Sequence, residues 1–166
     1  GCNIVEVPIF TNHGRIDFEI WDTAGQETIG PLRQPFYLNA DCAILMFDLS
    51  SRITYKNIPK WHRDLMKVVD VPVVLVGNKA DLTNNKIRSN EVDFGRGEIP
   101  YFEISAYDNV NTEKPFLSLL RTLVGDPNLQ LEQQPSDYLQ EEQCSESEMQ
   151  RVEREWENFE YQQNHH

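Results

Sequence analysis

Val71-Pro-Val-Val-Leu-Val-Gly-Asn-Lys-Ala-Asp81 is the stretch that decides the fold. Residues Val71 to Val76 are almost continuously apolar, which suits a strand covered on both faces inside a parallel sheet. The polar turn Asn78-Lys79-Ala80-Asp81 then closes the run. Cys42-Ala-Ile-Leu-Met-Phe47 has the same character, and Tyr101 to Ile104 is a shorter stretch of that kind. Helical spacing lies between these runs. Ile58, Trp61, Leu65 and Val68 or Val69 recur at three and four residues, with Pro59 expected in the first turn, where its missing N–H costs nothing. Phe116, Leu117, Leu119, Leu120, Leu123 and Val124 form a second stripe, and Gly125 follows as the expected C-cap. Buried strands alternating with helices predict an α/β domain: a mostly parallel sheet flanked by helices.

Upstream, the pattern changes. Ile4 to Phe10 alternates loosely, and Arg15 to Trp21 alternates cleanly with Ile16, Phe18 and Ile20 on one face. Asn12-His13-Gly14 between them is a turn signal, so the two runs read as a hairpin. Downstream of Leu131, Gln, Glu and Ser take over, and Pro135 interrupts any continuing element. Met149, Val152, Trp156 and Phe159 keep a three-four-three spacing, behind a possible capping box at Ser145 and Glu148, so a short amphipathic helix is expected within the tail.

Charge is uneven. Residues 126–166 carry 11 acidic and 2 basic side chains, a net charge of −9, which leaves −3 of the whole chain's −12 for residues 1–125. An acidic chain disfavours direct binding to nucleic acid, whose phosphates need a basic face. Apolar runs are too short to span a membrane as a helix. The three cysteines, Cys2, Cys42 and Cys144, are odd in number and widely spaced, without a Cys-x-x-Cys or Cys/His pattern. That argues against a disulfide framework or a zinc site, and fits a reducing compartment. No Cys stands in the last four residues to carry a prenyl group.

Two loops carry candidate chemistry. In Asn78-Lys79-Ala80-Asp81, an Asp carboxylate can accept from both the ring N–H and the exocyclic amine of guanine, a donor pair that adenine lacks. The Lys stem can lie along the base, and the Asn can tie the loop to its neighbours. In Asp22-Thr23-Ala24-Gly25-Gln26, an Asp at a strand end can hold Mg²⁺. Gly25 lets a backbone N–H approach a terminal phosphate, since no Cβ intervenes, and Gln26 can orient an attacking water. A Gly-x-x-x-x-Gly-Lys-Ser/Thr loop, the usual cradle for such phosphates, does not occur in the sequence.

From about Asn3 to Leu131 the chain resembles the Ran family of small GTPases, which serve nuclear transport. The resemblance rests on Trp21-Asp-Thr-Ala-Gly-Gln-Glu27, Thr54-Tyr-Lys-Asn-Ile-Pro-Lys-Trp-His-Arg-Asp-Leu65 and Gly77-Asn-Lys-Ala-Asp81, then on Ile104-Ser-Ala106, Glu113-Lys-Pro-Phe-Leu117 and Gly125-Asp-Pro-Asn-Leu129. It implies binding of GTP or GDP with Mg²⁺. Gln26 would be catalytic, Asp22 the metal-side Asp, and Gly25 the γ-phosphate glycine. Asn78, Lys79 and Asp81 would read guanine, with Ser105 and Ala106 as the second base loop. Residues from Gly25 to about Phe36 would form the switch that responds to the γ-phosphate. The implied partners are importin- and exportin-type transport receptors, an exchange factor, a GTPase activator and Ran-binding domains, in nucleus and cytoplasm, with neither nucleic acid nor membrane bound directly.

The departures set a second expectation. The family's first strand, phosphate loop, first helix and most of its first switch have no counterpart in this sequence. Cys2 stands where the family places a Mg²⁺-contacting Thr, and Tyr107 replaces a Lys of the second base loop. Phe94-Gly95-Arg96-Gly97 keeps one positive charge of a basic cluster. The reading is therefore a truncated small-GTPase domain over residues 1–131 and an acidic tail over 132–166. Its rival is a degenerate, non-hydrolysing Ran-like binding module or an incomplete fragment.

Overall fold

The computed structural model describes residues 2–23, 37–84 and 87–133. Gly25, Gln26 and the rest of the expected switch lie outside them, as does the expected tail helix. The described elements are β1 (Cys2–Thr11), β2 (Gly14–Thr23), β3 (Ala43–Asp48), α1 (Arg52–Met66), β4 (Val73–Asn78), a 3-10 turn (Ser89–Glu91), β5 (Tyr101–Glu103) and α2 (Glu113–Val124). The α/β class expected from the pattern is the one observed.

Strands β3, β4 and β5 form a parallel sheet in that order, with Asp48 opposite Asn78 and Gly77 opposite Glu103. Period-two alternation sends successive residues of β4 into two separate cores. Leu75 joins Leu45, Phe47, Leu49 and Ile58 on the α1 side. Val74 and Val76 join Ile104 and Leu119 on the α2 side. That double burial is why the run was continuously apolar. Each such side chain stabilises the fold by about 1.5–3 kcal/mol relative to exposure.

Helix α1 begins six residues before the apolar spacing signalled it. Pro59 is consequently an interior residue of the helix and not a first-turn one. Thr54 explains the early start. Its hydroxyl donates to the Ser51 carbonyl at 2.7 Å and accepts from the Asp48 N–H at 3.0 Å, nucleating a turn ahead of the apolar stripe. Pro59 is exposed, so the Tyr55 carbonyl that loses an N–H partner lies on the wet side, where a proline is tolerated. Helix α2 ends as its sequence predicts. Gly125 takes a left-handed φ of 75° and donates to the Arg121 carbonyl. Leu123 and Val124, the last members of the α2 stripe, are nevertheless exposed, each at 43%.

The expected hairpin is present, with antiparallel register from Cys2 opposite Thr23 to Thr11 opposite Gly14. Asn12 and His13 make the tip, and Gly14 supplies a φ of 100° that side chains resist. This hairpin is not hydrogen-bonded to the parallel sheet, and β2 and β3 belong to separate sheets. It docks on α2 and the segment after it. Phe18 meets Phe116 edge-to-face with ring centroids 5.5 Å apart. His13 Nε2 lies 2.7 Å from Asp126 Oδ2, and Asn12 N–H donates to the Gln130 carbonyl at 3.1 Å.

Candidate functional site

The C-terminal ends of parallel strands are where an α/β sheet builds sites, because the chain leaves each strand there as a loop. Asp48, Asn78 and Glu103 end their strands side by side. The loops that follow β4 and β5 carry the expected base-reading residues, and the structure brings them together. Asn78 Oδ1 accepts from the Ala106 N–H at 3.0 Å and from the Lys79 N–H at 2.7 Å. Ser105 Oγ donates to Asp81 Oδ1 at 2.6 Å and accepts from the Asp108 N–H at 3.0 Å. Ser105 is buried at 2% exposure, and its hydroxyl is satisfied both as donor and as acceptor. Asp81 therefore keeps one oxygen, Oδ2, with no hydrogen bond among the described residues.

The second loop is a closed unit. Ser105 and Val110 exchange two backbone hydrogen bonds, of 3.1 and 2.9 Å, and Ala80 N–H ties the first loop to the Ile104 carbonyl at 3.0 Å. Tyr107 projects from this closed loop at 90% exposure. The result is two loops braced against each other, with an acidic acceptor, a lysine and an exposed aromatic ring around one strand end.

Lys79 carries a feature that the sequence reading missed. Its Nζ lies 2.8 Å from Asp48 Oδ2, across the parallel pair. The other oxygen of Asp48 accepts from the Ser50 N–H and hydroxyl, both at 2.7 Å. Burial alone would raise the Asp48 carboxyl, but the hydrogen bonds from Lys79 and Ser50 outweigh it and hold its pKa below the usual carboxylate value. The same pair, with Asp48 as chief cause, raises the Lys79 ammonium above its usual value. A visible signal was available: Asp48 ends its apolar strand just as Asn78 ends the next one.

The remaining site residues are not gathered here. Asp22 is an exposed carboxylate near the end of β2. Among the described residues, no group of three His, Cys, Asp or Glu side chains converges to hold a metal. A single carboxylate such as Asp22 fits Mg²⁺, which usually binds through one or two carboxylates with phosphate oxygens and water. The remaining charge of the thinned basic cluster is committed internally: Arg96 Nη2 donates to the carbonyls of Asn90 at 3.0 Å and Val92 at 3.1 Å. Trp61 packs on the α1-side core, while Arg63 on the same helix is exposed.

Compared with known protein families, the chain matches the Ras family over residues 1–125.

Proposed function

Because the chain belongs to the Ras family of small GTPases, GTP-binding switch proteins that generally bind GTP or GDP with Mg²⁺, we propose that it works as a Ran-type switch for transport between nucleus and cytoplasm. The observation that carries the nucleotide part is the joining of the loops after β4 and β5 through Asn78 to Ala106 and Asp81 to Ser105. In this reading Asp81 accepts from the guanine ring N–H and amine. Lys79 lies along the base, and the Ala106 N–H, already donating to Asn78, is shared with the guanine carbonyl oxygen. Asp22 takes the metal side. Gly25 approaches the γ-phosphate, and Gln26 orients the water, so that catalysis is positioning and charge stabilisation.

The Ran assignment is supported by Thr54–Leu65, nearly all of α1, and by Gly125–Leu129, the cap that meets the hairpin tip. The partners are importin- and exportin-type receptors, an exchange factor, an activator and Ran-binding domains, with Arg63 on the receptor-facing helix. The internal engagement of Arg96 favours weaker contacts with acidic partner elements than the family makes.

The test of the base loop is Asp81→Asn. In the natural full-length protein it should move preference from guanine to xanthine nucleotides, because the ring position changes from donor to acceptor. An unchanged ratio refutes the loop assignment. Gln26→Leu should slow single-turnover hydrolysis with an activator and spare nucleotide affinity, and an unaltered rate favours the non-hydrolysing binding module. Receptor capture that ignores the bound nucleotide overturns the transport reading.

A further inference from the structure

We propose that Asp48 is the positioning residue of the base-reading loop: it takes up the Lys79 ammonium, so that this lysine serves as an aliphatic support for a planar base and not as a free positive charge. The inference rests on the base-loop reading above and names a residue outside it.

Two independent observations carry it. The first is the contact itself. Asp48 and Asn78 are register partners, and the residue after Asn78 reaches back across the strand pair to bring Nζ to 2.8 Å from Oδ2. The Asp48 carboxylate is fixed from the other side by Ser50, through two bonds of 2.7 Å, so it is a rigid anchor. The second is the backbone. Lys79 holds a left-handed φ of 68°. That conformation is costly for a residue with a Cβ, and it persists only where the surroundings impose it. Lys79 is held there by the Asn78 side chain on its N–H, by the Leu82 N–H on its carbonyl at 3.2 Å and by Asp48 on its Nζ. Asp81 lies near enough to raise the Lys79 ammonium as well, but its Oδ1 is engaged by Ser105, and the ion pair is made with Asp48.

The consequence is specific. A lysine whose ammonium is held this way offers its four methylenes to a base face, as long stems do while their charged ends are satisfied elsewhere. It is not available as a phosphate-binding cation.

Asp48→Asn isolates the charge. The amide oxygen still accepts from Ser50, so the turn that follows β3 keeps its anchor, while the amide nitrogen confronts the Lys79 ammonium donor to donor. Binding of GDP to the natural full-length protein, followed through the amide shifts of Ala80 and Ala106, should weaken about tenfold, while the urea midpoint falls only by the share of stability that the Asp48 carboxylate supplies at neutral pH. The double variant Asp48→Asn with Lys79→Met restores a stem of similar length without the donor-to-donor conflict, and should recover most of the affinity. Wild-type affinity in Asp48→Asn overturns the proposal. So does a double variant as weak as the single one, because the lysine charge itself would then be needed. A readout without ligand is the Asp48 carboxyl followed by carbon NMR: it should titrate below the usual range in the parent and move upward in Lys79→Met. No movement overturns the pairing. Failure of the base-loop reading is seen separately, as an Asp81→Asn variant with no gain of xanthine nucleotide binding.

Discussion

Gly77 is the residue before the Asn-Lys-x-Asp turn, and adding one methyl there should be costly for a reason that can be worked from the packing. A Cβ on Gly77 would sit 2.7 Å from Tyr101 Oη, 2.9 Å from Leu49 Cδ2 and 3.2 Å from Leu49 Cγ. Relaxed carbon contacts lie at about 3.5–4.0 Å. Leu49 is 1% exposed inside the α1-side core and has nowhere to retreat. Tyr101 is tethered too, its hydroxyl donating to Glu103 Oε1 at 2.9 Å. Overpacking by a methyl typically costs about 1–3 kcal/mol. Replacing a strand glycine by alanine returns about 0.5–1 kcal/mol of chain entropy. Gly77→Ala is therefore expected to lose about 1–2 kcal/mol, a fraction of a margin of about 5–15 kcal/mol. The chain should stay folded with a urea midpoint lowered by roughly 1 M.

The cause can be separated from a general strand effect with Tyr101→Phe. That change alone removes one hydrogen bond, worth about 1 kcal/mol. Combined with Gly77→Ala it also removes the shortest clash, so the double variant should be less destabilised than the sum by about 1 kcal/mol, a coupling expected of touching residues. Equilibrium urea unfolding of the four proteins measures this. Additive losses, or a Gly77→Ala variant as stable as the parent, would refute the packing argument. The displacement should also reach the site, because the Gly77 carbonyl accepts from the Ile104 N–H at 2.9 Å, one residue before Ser105.

Other outcomes are expected. Burial first, and the Glu103 carboxylate second, push the Tyr101 phenol well above its usual value. Its folded pKa thus exceeds its unfolded one, so its contribution is complete below about pH 10 and fades as the pH climbs further; alkaline unfolding curves should show this, and Tyr101→Phe should flatten them. At the acid end the sign reverses. The lowered Asp48 carboxyl contributes above about pH 4, and that part is lost as the pH falls through its folded value, a slope that Asp48→Asn should remove. The 166-residue polypeptide, without a Gly-x-x-x-x-Gly-Lys-Ser/Thr loop, should bind fluorescent GTP no more tightly than micromolar; a sub-micromolar titration would contradict this. Among the described residues, Trp61 Nε1 is buried with no hydrogen-bond partner. Trp61→Phe should therefore cost less in thermal unfolding than the 3–5 kcal/mol or so of an aromatic truncation to alanine, and an equal cost would show that the indole N–H is satisfied.

What the sequence determined by itself was whatever local periodicity and turn chemistry dictate. Continuous apolar runs identified β3 and β4, because a strand buried on both faces has no polar side to alternate with. The Asn12–Gly14 turn identified the hairpin, since its backbone needs a residue that tolerates a positive φ. Gly125 marked the end of α2 for the same reason. The two strings proposed as base-reading loops were visible too, as each is short and contiguous, and the structure brings them together. Tertiary structure alone decided the rest. Proline chemistry suggested a helix start at Pro59, but the anchoring of Thr54 on Ser51 and Asp48 moved the start upstream. The Lys79 stem was expected along a base, but only strand register put Asp48 within reach of its ammonium, and Arg96 counted as the one charge kept from a basic cluster until the loop folded its guanidinium onto Asn90 and Val92. Register and loop closure join residues far apart in the chain, and no local pattern encodes which of several carboxylates or carbonyls a long side chain will reach.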